Sequence, residues 1–378
     1  MKKVFRIFLP FLLAIFLWAS PIFAQDNSSD EIFEAEVIEI VNFGQESFDG
    51  ELMDFQELKI RITKGFEEGK EKILKNTAVQ GDLYQVLYQK YAVGDKLRVY
   101  SINRVDGENI YSIMGKTKRP GLVTLAIIFL IVVLVVGRIW GALSILGMGV
   151  SFLVIFKMII PMIINGINPV LSAFLGSLII IPTTFYISHG FNTKTHVGVV
   201  STTMALLFTG MMAVYFVGAV NLTGYASEEA GFLHVERQGS IDITGLLIAG
   251  IIIGTLGILD DVTIGQASVV QQLYLANKKI SMWKLFKRGM KVGQDHVSSM
   301  VNTLVLVYAG SSLPLLLLFF DANKSASDIF EFELIAEEVV RMLVGSIGLV
   351  LVAPLATLMA AYAFSRKKKF NDLKRKQT

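Results

Sequence analysis

The sequence predicts an all-α membrane bundle of about seven helices, preceded by a signal peptide and a small exported all-β domain of the OB-like or SH3-like barrel type. Three observations carry this reading. Of the 378 residues 53% are hydrophobic and only 18% charged, too apolar a balance for a soluble enzyme built round one core. From Gly121 onward the apolar residues fall into runs of about 20, the length that crosses a hydrocarbon core. The stretch before them alternates apolar with polar residues, the period of a half-buried strand.

In chain order, residues 1–24 carry Lys2, Lys3 and Arg6, then an apolar run over 7–18, then small residues ending at Ala24. That is the three-part layout of a secretory signal peptide, with a retained first helix as the alternative. Residues 25–119 form the one stretch long enough for a soluble domain. Strands are expected over 34–41, 57–63, 96–102 and 109–114, with turns at Gly94-Asp95 and Asp106-Gly107. This segment has no histidine and no pairing of nucleophile with base, which points to a binding or structural role.

Seven spans are expected within residues 120–364, at about 121–137, 140–160, 169–188, 196–219, 241–260, 297–320 and 338–364, followed by a basic tail over 365–378. Loop charge orients them. Arg138, Lys194, the cluster Lys278, Lys279, Lys284, Lys287, Arg288 and Lys291, and the basic run over 366–369 all fall on one side. The acidic loops 222–240 and 321–337 fall on the other, with the β domain. The positive-inside rule then puts the β domain outside and the C-terminus in the cytoplasm. Pro182, Pro314 and Pro354 lie inside spans and are expected to kink them. Gly250 and Gly254 make a small-xxx-small pair expected to pack on a neighbouring helix. Residues 271–291 place Leu273, Ala276, Ile280, Trp283, Phe286 and Met290 on one side and lysines on the other. This reads as an amphipathic helix lying on the inner leaflet, or one packed against the inner ends of the spans.

The stretch over 254–270, GTLGILDDVTIGQASVV, is where function is sought. Asp260 and Asp261 stand where the fifth span ends, with Thr263 and Gln266 just beyond. Carboxylates at membrane depth are costly and usually face a polar cavity or an ion. The competing reading makes Asp261 the N-cap of a second helix starting at Val262. An internal repeat bears on this choice: HVGVVSTTMALLFTG over 196–210 matches HVSSMVNTLVLVYAG over 296–310. A duplication of spans three and four as five and six would gather Thr183, His189, His196, Asp260, Asp261, Gln266, Asp295 and His296 at one level. Three of the four histidines lie in that set, whereas His234 sits in an outer loop.

Histidine beside aspartate suits a proton relay or a borderline divalent cation. The chain has no cysteine and no two histidines four apart on a helix, so neither a metal site nor a cofactor is expected. Adjacent aspartates on a helix point about 100° apart and form no facing dyad, which argues against an enzyme. No Gly-rich phosphate loop with its lysine is present, and nucleic-acid binding is not implied by basic loops that serve orientation.

LDDVTIGQAS over 259–268, VGQDH over 292–296 and NTLVLVYAGSSLPLLLLF over 302–319 are long, specific motifs, and on them the chain resembles the YibE/F-like family of bacterial membrane proteins. The family more often has Arg where Gln294 stands here, which takes away a cation beside Asp295. The resemblance implies a multi-pass protein of the bacterial plasma membrane and leaves the chemistry open. The leading expectation is a transport-type protein, permease or channel-like, moving a proton, cation or small polar solute. The alternative is a membrane scaffold or sensor whose exported β domain binds an envelope partner.

Overall fold

A computed structural model describes residues 31–48, 51–65, 67–77, 89–103, 109–321 and 326–377. The predicted signal peptide lies outside the described residues. The chain divides into two compact units that meet between Val132 and Val133.

The first unit holds five antiparallel strands, β1 (Glu31–Phe48), β2 (Glu51–Lys64), β3 (Glu71–Thr77), β4 (Lys96–Asn103) and β5 (Asn109–Lys116), in the order β3-β2-β1-β4-β5. Four of them lie where the alternation places them. Phe33, Ala35 and Val37 of β1, Leu58, Ile60 and Ile62 of β2, and Leu97 and Val99 of β4 all point into one core. The alternation missed β3, because in EKILKNT only Leu74 turns inward while its neighbour Ile73 is exposed. Gly65, at φ 132°, takes a conformation that disfavours a side chain, and a Cβ there would strike the Phe33 ring. The Tyr111 hydroxyl of β5 donates to Glu67 at 2.7 Å, and Lys72 of β3 lies over the Tyr111 ring at 4.6 Å. Hydrogen bonds from Lys70 and then Tyr111 hold the Glu67 carboxyl below its ordinary range.

The second unit is helical. α1 (Arg119–Val154) starts in the first unit and runs into the second, where its backbone breaks at Arg138, φ 49° and ψ −131°. A Cβ on Gly141 would strike the Val133 carbonyl, so the chain folds sharply back at Arg138 and the two apolar runs over 121–137 and 140–160 fall on either side of the break. A π-helical turn (Ile155–Ile159) follows, then α2 (Ile160–Ile164). Pro161 cannot donate to the carbonyl four residues back, which accounts for the widened turn before it. The remaining helices are α3 (Pro169–His189), α4 (Thr193–Ala219), α5 (Glu228–Glu236), α6 (Ile243–Ala276), α7 (Met282–Ser311), α8 (Leu313–Asp321), α9 (Ala326–Glu331) and α10 (Glu333–Gln377).

Short polar side chains start the long helices. Asn168, Asn192, Asp242 and Ser281 each accept from a backbone N–H in the first turn that follows. Among the described residues five helices are long and apolar enough to cross a membrane, or six if α7 and α8, bent by 67° at Ser312, count as one broken span. Pro314 opens α8 just past that bend, whereas Pro182 and Pro354 lie inside continuous helices. α4, α6 and α10 pack pairwise as the centre, with α7 across α6 and α10 and α3 against α6. The Glu333 carboxylate ties the start of α10 to the loop after α4, accepting from the Thr223 N–H and hydroxyl, each at 2.6 Å.

Two expectations need correcting here. Residues 271–291 do not form one surface helix: 271–276 finish α6, the chain turns over 277–281, and the rest begins α7. Ile280, Leu285 and Phe286 pack with Ala360 and Phe364 of α10, while Trp283 is exposed and stacks on Phe286. Gly250 and Gly254 do not pack on a neighbour. A Cβ at either would meet nothing within 4 Å.

Candidate functional site

The Asp260-Asp261 pair lies inside one unbroken helix, so Asp261 is not an N-cap of anything. The 34 residues of α6 make about 51 Å of helix, well beyond a hydrocarbon core of roughly 30 Å, and the aspartates fall halfway along it. Cross-helix contacts fix their level. Thr263 faces Thr202 of α4 with hydroxyl oxygens 2.7 Å apart, and Lys194 near the start of α4 donates to Ser268 at 3.4 Å. Counting back from Thr202 along α4 sets Asp260 roughly 18 Å from the Thr193 end, close to the middle of that 27-residue helix. The helix that carries the span expected over 241–260 therefore continues past Asp260.

α6 presents two opposite polar faces. On the buried face lie Thr255, Thr263 and Gln266. Thr263 bonds to Thr202, and its hydroxyl also lies 3.0 Å from the Asp260 carbonyl. Gln266, fully buried, has its side-chain amide 3.0 Å from the Thr357 hydroxyl of α10. Thr357 donates to the Ala353 carbonyl at 2.6 Å, and one amide atom of Gln266 is buried with no partner among the described residues. α7 closes over this seam through two glycines four residues apart. A Cβ on Gly293 would come within 3.0 Å of the Gln266 amide, and one on Gly289 within 2.8 Å of Thr357 and 2.9 Å of Val270.

The other face runs Gly250, Gly254, Gly257, Asp261, a spacing of four, three and four that keeps all four on one stripe. All four are exposed on the unit's surface. Asp260 flanks this stripe, half-buried, and Ser268 continues it. His296 of α7 borders it: its ring lies 3.6 Å from where a Cβ of Gly265 would stand. On α7, Asp295, Ser299 and Asn302 form a second exposed stripe.

The constellation expected from the sequence therefore separates. Asp260, Asp261 and His296 share the open face, and Thr263 and Gln266 belong to the buried seam. Asp295 is exposed on α7. Thr183 is buried and donates back to the Ile179 carbonyl at 2.7 Å. His189 ends α3 edge-on to Phe185, with ring centres 6.3 Å apart. His196 has Nδ1 2.7 Å from the Tyr186 hydroxyl, beside a ring stack of Tyr186 on Phe191 at 4.2 Å. Among the described residues no hydrogen bond or ion pair joins His189 or His196 to either aspartate.

Thr202, Thr357, Gly289 and Gly293 belong to the buried seam and were not singled out in the sequence. Two signals for them exist. Thr195, Thr202 and Thr209 recur every seventh residue on α4, and Gly289 and Gly293 repeat the small-xxx-small spacing that was noticed only at Gly250 and Gly254. Chemically, the open face offers two carboxylates and an imidazole, groups that accept and release protons or hold a passing cation.

The sequence model of the family described as YibE/F-like protein matches residues 125–366, more than half of the chain. Searches of curated proteins and of solved structures each return no match. The match takes in α6, α7 and α10 up to Arg366, which hold both polar faces, and on that evidence this multi-pass membrane protein belongs to the YibE/F-like family.

Proposed function

We propose that the chain is a transport-type protein, permease or channel-like, that moves a proton, a cation or a small polar solute along the open face of α6. One observation carries this reading: Asp261 stands exposed at mid-helix, on a glycine stripe, in a helix long and apolar enough to cross a membrane. An ionised Asp at that depth costs roughly 3 kcal/mol on insertion scales, and lipid contact would return none of it. A lane holding water or ions would. Glycines at 250, 254 and 257 leave the helix surface low enough to form such a lane, and His296 supplies an imidazole at its border, next to Gly265.

The accompanying topology is part of the proposal. The Arg138 break supports seven spans, with the β unit outside, the basic α6-α7 turn and the C-terminus in the cytoplasm, and the protein in the bacterial plasma membrane. The strand order, together with the Tyr111 and Lys72 contacts from β5 to β3 and its approach, supports an OB-like closed barrel. No catalytic step is assigned. The repeat of spans three and four as five and six stays part of the reading, with α6 the longer copy.

A second reading has one observation in its favour. β1 exposes Val41 and, at 77%, Phe43, which lies opposite Gln56 in the β1-β2 hairpin. Those exposed apolar side chains would suit an envelope partner of a scaffold or sensor. Proteoliposomes holding the purified full chain, assayed for proton and cation flux, test the choice. Flux that disappears with Asp261→Asn supports transport. A tight, inert bilayer with a protein that still captures partners through the hairpin supports the scaffold.

A further inference from the structure

The β unit carries a cavity of about 730 Å³ where β5 runs into the first turns of α1. Its wall has two chemistries. Arg98, Lys116, Lys118 and Arg119, against the single carboxylate of Glu34, make it net cationic, and Leu122, Val123 and Ala126 of α1 give it an apolar floor. Lys116 is paired with Asp95 and Arg119 lies 3.7 Å from Glu34, whereas Arg98 and Lys118 have no ion-pair partner among the described residues. The Thr117 hydroxyl, in the same wall, is shielded from solvent and has no hydrogen-bond partner among the described residues.

The local fold opens the cavity. The register between β4 and β5 shifts at Arg98, opposite Gly115, whose φ of 127° suits glycine and takes the strand out of regular pairing. The bulge leaves Thr117 and Lys118 free of the ladder beyond the Thr117 N–H bond to Lys96. Two turns later the chain is continuously apolar, so in the topology proposed above the cavity sits at the level where a membrane's head groups give way to acyl chains.

We propose that this cavity binds an anionic glycerophospholipid, its phosphate held by Arg98 and Lys118 with the Thr117 hydroxyl donating, and its first acyl carbons on Leu122, Val123 and Ala126. Free phosphate offers the same anion chemistry, but it would leave the apolar floor uncovered. The cationic wall explains a preference for phosphatidylglycerol over phosphatidylcholine, which carries a compensating positive charge.

The experiment uses the full chain in nanodiscs of mixed phosphatidylglycerol and phosphatidylcholine, transferred to detergent, with retained lipid read by native mass spectrometry. Wild type is expected to retain phosphatidylglycerol selectively. The Arg98→Ala/Lys118→Ala double variant, which removes two exposed side chains and should fold normally, is expected to lose about tenfold of that retention. The Arg98→Lys/Lys118→Arg double variant should keep it. Inorganic phosphate titrated onto protein in phosphatidylcholine alone should show no saturable binding. Equal retention by wild type and the alanine variant would overturn the proposal, as would saturable phosphate binding without lipid selectivity.

Discussion

The two polar faces of α6 differ in what surrounds them and so in what a substitution there can do. Thr263 and Gln266 are surrounded by α4, α7 and α10, and every added atom must displace a neighbour. Gly250, Gly254, Gly257 and Asp261, a few residues away on the same helix, touch little of their own chain. Polarity alone thus does not mark a site in a membrane helix. Buried hydroxyls and an amide can simply join helices, while an exposed carboxylate still needs something to face.

The largest contrast is steric. Gly293→Leu drives a side chain into the Gln266 amide and Gly289→Leu into Thr357 and Val270, and each should cost roughly 1–3 kcal/mol of stability. Gly254→Leu on the open face should cost little stability, though it fills the proposed lane. Thermal unfolding and monodispersity in one detergent compare all three. Equal losses at Gly254 and Gly293 would remove the distinction between the faces.

A smaller effect probes the seam itself. Thr202→Val and Thr263→Val each break the 2.7 Å contact, and a double-mutant cycle should return a coupling of about 0.6 kcal/mol, the ordinary value for a hydrogen bond between membrane helices. Near-zero coupling would leave shape alone to join α4 to α6.

The smallest effect lies in the β unit. Glu67 is held below its ordinary range by Lys70 and Tyr111, and Asp95 by the Ala92 N–H and then Lys116. Carboxyls depressed in the folded state contribute stability that is present above their unfolded values, near pH 4, and is lost as pH falls through the folded ones. The protection of amides in β1 and β2 of the full chain, taken relative to their intrinsic exchange rates, should therefore fall below about pH 4 and stay flat from pH 5 to 7.

Much of this was legible from the chain alone. Alternation in β1, β2, β4 and β5 places their core residues, and the caps at Asn168, Asn192, Asp242 and Ser281 are short polar residues just ahead of apolar runs. The seam was not legible as a seam. Thr263 and Gln266 stand out beside the aspartates, but their partners Thr202 and Thr357 are 61 and 91 residues away, and only packing brings them together. The continuity of α6 through the aspartates is hard to read for a related reason. Two carboxylates look like the end of a lipid-facing run, yet Val262, Ile264, Ala267 and Val270 carry the helix on and bury its other side. The glycines were read in the wrong pair: Gly250 and Gly254 sit in the more apolar segment, but Gly289 and Gly293 are the ones that touch another helix.

The measurement that tests the central claim most directly is ion flux through proteoliposomes of the Asp261→Asn and Asp260→Asn variants, taken with their thermal stability. If the open face is the pathway, Asp261→Asn abolishes flux, Asp260→Asn at the flank reduces it, and both variants are at least as stable as wild type, because among the described residues neither carboxylate makes a hydrogen bond or ion pair that its amide would release. Wild-type flux in Asp261→Asn, or a loss of stability that accounts for the lost flux, would contradict the account.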